Sequence, residues 1–269
     1  MEEYPIKIGR MLFTMVDPHV GHEVAYNRWY ERDHFYAGCM IGPGWFAGGR
    51  WVAPRSLKDL RFPEKSPFAD PVDAGSYLSI YWVDRDQLDA AFDWAGTQVV
   101  WLYQNGRGFN ERTHAHTALY DFASVKYSDE DGVPVELALD HYYRGLGVVV
   151  IEPGEGTSRQ GLRDWLDAGC IPRLLSASSA AMVATWTLYQ RPRADDAPPP
   201  PMPLGTDGGS EDRLVQLAFL EDDPASCWQA FRDYAAAIEA GGQGKVTFAA
   251  PFLRTVVGTD TYTDKLWSR

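Results

Sequence analysis

SYLSIYWVDRDQLDAAFDWAGTQVVWLYQNG, residues 76–106, and RTHAHTALYDFASV, residues 112–125, decide the fold. The opening nine residues are strong β formers throughout and read as a strand. The run that follows opens on acidic residues, carries apolar side chains at helical spacing and stops at Asn105-Gly106, as the helix dipole and the αL cap prefer. The second stretch is again a strand. Toward the N-terminus, RMLFTMVD (10–17) predicts a strand, and PHVGHEVAYNRWYERDHFYAG (18–38) an amphipathic helix with Gly38 as its stop. WFAGGRWVAP (45–54) predicts another strand, followed by a Pro-rich, charged loop over 55–75. The order is βαββαβ, the split βαβ motif.

The same order then repeats. A polar connector over 126–144 leads to the strand GVVVIEP, the helix SRQGLRDWLDAGCIPRLL and the strand AAMVATWTLYQRP. RLVQLAFLED, PASCWQAFRDYAAAIEAG and TFAAPFLRTVVG supply a further strand, helix and strand. Between the central strands lies 193–212, too rich in Pro, Gly and Asp to pack and expected to be exposed and mobile. Both long loops fall at the same place in their halves, which points to duplication. A four-stranded sheet with helices on one side must bury its other face. The expected fold is therefore α+β: two tandem ferredoxin-like repeats, 1–125 and 145–269, joined by the connector and closing on each other as an intramolecular dimeric α/β-barrel.

At 269 residues, with 45% hydrophobic and 23% charged side chains, the chain has the composition of a globular protein that can bury a full core. A net charge of -12 without a basic cluster argues against nucleic-acid or anionic-membrane partners. No stretch approaches the ~18 apolar residues of a membrane span. The three cysteines are far apart and form no CxxC, so a reducing, cytoplasmic location is expected.

YNRWYERDH, residues 26–34, resembles the helix signature of EthD-like members of the dimeric α/β-barrel superfamily. The matching residues are Tyr26, Trp29, Tyr30 and His34; Tyr36 and Ala37 stand where that signature has Pro-Leu. In the second half Leu162, Trp165 and Leu166 keep the spacing, with Cys170 in place of His34 and Pro172 in place of Tyr36. The resemblance implies an apolar cleft between helices and sheet in which a polar side chain acts on an acidic C–H or O–H. It also implies a chemically active first repeat and a structural second one.

Tyr26, Tyr30 and His34, at i, i+4 and i+8, share one helix face and are the candidate catalytic residues, with His34 as general acid or base and a tyrosine as donor to a developing oxyanion. The bland alternative for His34 is a cap on the helix C-terminus. Trp29 is expected to line the site; Asn27, placed by the helical wheel on the exposed flank, is a weaker candidate for binding a substrate carbonyl. In THAHTALYD, strict alternation puts His114, His116 and Tyr120 on one strand face, where they would bind substrate or relay protons. A metal or haem at the histidines is the lesser alternative, and no cofactor is expected. The glycine-rich 42–51 lacks the context of a nucleotide site, and neither GxSxG nor HExxH occurs. The expected function is cofactor-independent proton-transfer chemistry (isomerisation, cyclisation or lysis) on a hydrophobic, aromatic or polyketide-like molecule. An anthrone-type oxygenase, cofactor-free or haem-dependent, and a non-catalytic binding barrel are the alternatives. Beyond the pseudo-dimer within one chain, further homo-oligomerisation is open.

Overall fold

The computed structural model describes residues 5–190, 202–206 and 208–267. Its strands are β1 (Ile8–Pro18), β2 (Trp45–Val52), β3 (Tyr77–Asp84), β4 (Arg112–Tyr127), β5 (Gly145–Pro153), β6 (Ala180–Tyr189), β7 (Leu214–Leu220) and β8 (Gly244–Arg254). The helices are α1 (Glu23–Trp29), α2 (Arg55–Lys58), α3 (Leu88–Gln104), α4 (Arg159–Trp165), α5 (Ile171–Ala177) and α6 (Pro224–Ala240). Paired antiparallel throughout, the strands close into a barrel in the order β1-β3-β2-β8-β5-β7-β6-β4. Each half thus runs fourth, first, third, second. The halves meet at one long seam, β4 on β6 from Leu119↔Tyr189 to Tyr127↔Met182, and one short seam, β2 on β8 at Trp51↔Arg254 and Val52↔Leu253.

The period of two sorts the strand side chains. On β1, Met11, Phe13 and Met15 point into the barrel, while Leu12 and Val16 face the helices. The interior is filled by side chains, among them Trp82 and Trp186 stacked with centroids 4.8 Å apart. Helices α1 and α3 bury an aromatic layer on the outside of the first half; α4, α5 and α6 bury an aliphatic-rich one on the second. No helix among the described residues is long and apolar enough to cross a membrane.

Three expectations need correction. The first helix does not stop at Gly38: it runs on from α1 through π-helical turns at Tyr30–His34 and Tyr36–Met40. The connector is not merely polar, since Val135, Ala138, Leu139 and Tyr143 plug into the barrel interior. The 55–75 loop also packs inward, laying Phe68 on His116 with centroids 3.8 Å apart. Of the loop expected to be mobile, 193–212, residues 193–201 and 207 lie outside the described residues. Of its described remainder, Leu204 lies on β4, its O accepting from Thr117 N at 2.8 Å, and Ser210 N donates to Glu152 Oε1 at 2.8 Å.

Candidate functional site

The outer layer of the first half gathers Tyr26, Trp29, Tyr30 and His34, as the helical spacing predicts. Tyr26 and Tyr30 have ring centroids 5.7 Å apart, and Tyr30 meets His34 edge-on at 5.4 Å. The π turn adds a contact that a period of 3.6 does not give. Its i to i+5 hydrogen bonding sets Trp29 directly against His34, rings stacked at 4.4 Å and 18°. Gly38, one turn on, leaves room for the imidazole: a Cβ there would lie 3.1 Å from His34 Cε1. His34 therefore sits inside a continuing helix and does not cap it.

His34 is half-buried, and its shielded Nδ1 has no hydrogen-bond partner. Burial first, then the positive charge of Arg112, push its pKa down to about 3, against the opposing pull of Asp33. Asp33 does not orient the ring; it is paired with Arg107. Burial raises the pKa of both Tyr26 and Tyr30, so the phenols stay protonated, and Tyr30 Oη shares a 2.9 Å hydrogen bond with Tyr81 Oη. Around them stand Phe109, stacked on Trp29 at 5.3 Å, and Arg112, whose guanidinium lies 4.8 Å from the Trp29 ring centre. Arg112 is the residue the sequence reading missed. It opens β4, where no residue type in the sequence marks it as part of a site.

The shared face expected for His114 and His116 does not form. Met15 pairs with His116 but Val16 with His114, so a register shift on β4 spends one residue and turns the two imidazoles to opposite sides of the sheet. His116 goes inside with Phe13, Phe68 and Tyr120, its Nε2 2.7 Å from Tyr120 Oη. Its pKa falls to about 3 through burial and Arg213; Nδ1 makes no well-formed hydrogen bond, although the main chain of Phe68 and Gly205 opposes the shift. His114 goes outside, beside Arg112. Its Nε2 accepts from Arg112 Nε at 3.1 Å, so Nδ1 carries the proton and donates to Thr117 Oγ1 at 2.6 Å. Burial, then Arg112, lower its pKa to about 4.

Asn27 is the other correction. It is 3% exposed, because the C-terminal tail covers α1: Asn27 Nδ2 donates to Thr259 O at 2.8 Å, and Asn27 Oδ1 accepts from Arg50 Nη1 at 3.1 Å. Both ends of the amide are engaged within the fold, so the exposed position expected of it does not hold.

A metal or haem does not fit these histidines. Among the described residues no group of three or more His, Cys, Asp or Glu is placed to hold a metal ion. A ligating imidazole keeps one nitrogen open to the metal and donates the other to an acceptor. His114 uses both nitrogens, His116 gives Nε2 to Tyr120, and His34 has no acceptor for Nδ1.

The fold is that of a barrel built from two α+β halves. No family model and no curated relative matches the chain in sequence. Among solved structures it is similar to an anthrone oxidase-like protein, at 12% identity and TM-score 0.51 over 94% of this chain and 95% of the other. It is similar also to a candidate chlorite dismutase, at 11% identity and TM-score 0.50 over 97% and 100%. A candidate monooxygenase from Fusobacterium nucleatum shows a weaker likeness, with TM-score 0.46 and 10% identity over 95% and 94%. At these identities the likenesses speak to the fold alone.

Proposed function

We propose that the chain is two ferredoxin-like units in tandem, of EthD-like descent, and that its first half is a cofactor-independent enzyme acting on a hydrophobic, aromatic or polyketide-like molecule. The identical strand order of the halves supports the first part. The second rests on one observation: His34 is a neutral imidazole, stacked in an aromatic layer, whose shielded Nδ1 has no hydrogen-bond partner. A buried polar atom left without a partner calls for an explanation, and proton transfer supplies one. With its pKa pushed down to about 3, the imidazole is neutral near pH 7. It takes a proton from an acidic C–H or O–H of the substrate, and the anion formed beside it is the countercharge that stabilises the imidazolium. Arg112 and the protonated Tyr30 favour that anion electrostatically. Trp29 and Phe109 stack on the substrate's rings. Returning the proton to another atom completes an isomerisation or cyclisation. Neither cleft at the barrel end is lined by His34. Substrate accordingly enters by parting the π-helical stretch that follows α1 from α3; the two are tied by the 3.0 Å bond from Gln98 Nε2 to Ala37 O, in the turn Tyr36–Met40.

An anthrone-type oxygenase is the second reading, favoured by the likeness to the anthrone oxidase-like protein. The same deprotonation would yield an electron-rich anion able to react with dioxygen. One experiment separates the readings. Polycyclic phenols and their keto tautomers are screened by quenching of tryptophan fluorescence and by shifts of the His34 imidazole resonances. Hits are then incubated with and without oxygen. A product of unchanged mass supports proton transfer; a product gaining oxygen, with oxygen consumed, supports the oxygenase. Hits that leave the His34 resonances unmoved refute a site at this residue.

A further inference from the structure

A second set of reactive side chains meets at one end of the barrel, independent of His34. Lys58, on α2, has a side chain only 1% exposed, with Nζ 3.5 Å from Asp17 Oδ1. Its ammonium lies 4.2 Å from the ring centre of Trp267, in the C-terminal tail. Asp17 is already engaged: Oδ2 accepts from Gly75 N at 2.6 Å, and Oδ1 accepts from Ser76 N at 2.8 Å and from the Ser76 hydroxyl. A contact of 3.5 Å is at the limit of hydrogen bonding, so the amine has no close acceptor. A lysine serving only to neutralise Asp17 would pair more tightly.

Lys58, Asp17 and Trp267 line an open cleft of about 680 Å³, a volume suited to a small molecule. Phe68, Pro67 and Pro71 give it an apolar wall. Around the amine, Asp17 and Asp73 favour the ammonium form and Arg61 opposes it, while Asp70 and His114 stand on the cleft wall. Burial dominates and pushes Lys58 down to about 8. Desolvation beside a second cation is the usual way a lysine becomes nucleophilic.

We propose that this cleft is a covalent binding site in which Lys58 captures the carbonyl carbon of an uncharged aldehyde or ketone as an imine. The neutral amine adds to the carbonyl carbon, forming the C–N bond while the C=O π pair moves to oxygen. The two N–H protons leave with that oxygen as water, and nothing is oxidised or reduced. The carboxylates Asp17, Asp70 and Asp73 disfavour anionic carbonyl compounds, and the apolar wall favours an aromatic or aliphatic one.

The test uses benzaldehyde with cyanoborohydride on the intact protein from pH 6 to 10, with adducts mapped by peptide mass spectrometry. At pH 7 an amine near 8 is neutral in roughly one molecule in ten, against fewer than about one in a thousand at the ordinary lysine value. Lys58 is therefore expected to react on the order of 100-fold faster than Lys7, Lys65, Lys126, Lys245 and Lys265, with a rate that levels off above pH 8. Lys58→Arg, which keeps the charge beside Asp17, should remove the fast adduct and leave the surface adducts unchanged. Adducts on the other five lysines with Lys58 unmodified in the folded protein would overturn the proposal. So would a Lys58 that reacts only after unfolding.

Discussion

Two π-helical turns occupy the same place in the two halves, Tyr30–His34 in the first and Leu166–Cys170 in the second, and they hold opposite chemistry. In the first, the turn brings Trp29 onto His34 and leaves a ring nitrogen unpaired. In the second, Leu162, Leu166, Cys170 and Ile171 merge into an apolar cluster. The polar side chains nearby satisfy each other there, Tyr234 Oη donating to Gln216 Oε1 at 2.9 Å and Gln216 Nε2 to Thr185 Oγ1 at 3.4 Å. The backbone device is shared; only the side chains set upon it differ. The two turns therefore differ in whether a polar group set on the turn itself is left unpaired, as His34 Nδ1 is.

Acid gives the largest expected separation between the halves. His34, His114 and His116 all belong to the first half and are held neutral, with pKa values of about 3, 4 and 3. Unfolded, each would titrate near ~6.5. Between those values the unfolded chain binds more protons than the folded one. Stability is therefore full above about pH 6.5 and falls as the pH drops, by up to about 1.4 kcal/mol per pH unit for the fully buried His116. Hydrogen exchange from pH 7 to 4 should show β1, α1 and β4 losing protection before β5, β7 and α6. His116→Phe should reduce the slope. If the second half opens first, or stability is flat across this window, the contrast in buried charge is wrong.

The next test concerns chemistry. His34→Ala should lower turnover by at least the ~100-fold expected for loss of a general acid–base group, with circular dichroism and melting behaviour close to the parent protein. A wild-type pH profile without an inflection near 6.5 should accompany it, since the imidazole stays neutral across that range. Full activity in His34→Ala would remove the proposed active site.

Much of this fold is legible in the sequence, because its strands carry strong β formers and its helices apolar residues at helical spacing, with side-chain N-caps at Ser158 and Asp223; every strand and long helix lies within a few residues of its expected place. The site is legible only in part. Tyr26, Tyr30 and His34 converge because four-residue spacing survives the π turn, whereas the Trp29–His34 stack depends on that turn, which no residue type marks. His114 and His116 separate through a register shift at Ala115, a residue that carries no bulge signal. Asn27 is buried by a tail more than 200 residues downstream, as its 2.8 Å bond to Thr259 O shows, and a helical wheel holds no such information. Lys58 lay in a stretch read as a charged loop, and only the fold brings Asp17, Arg61 and Trp267 around it.

The smallest expected effect completes the comparison. Cys170 occupies the position matching His34, is 2% exposed, and packs among Leu162, Leu166 and Ile171. Burial raises its thiol pKa, so it stays protonated and unreactive. It behaves as a small hydrophobe, and Cys170→Ala should cost about 1–2 kcal/mol of stability by cavity formation. Turnover and ligand-induced thermal shift should be unchanged, because nothing at this π turn is left unsatisfied. The pair of variants is decisive in a way neither is alone. Loss of activity in Cys170→Ala with retention in His34→Ala would move the active site to the second half, and the shared π turns would then mark the wrong histidine.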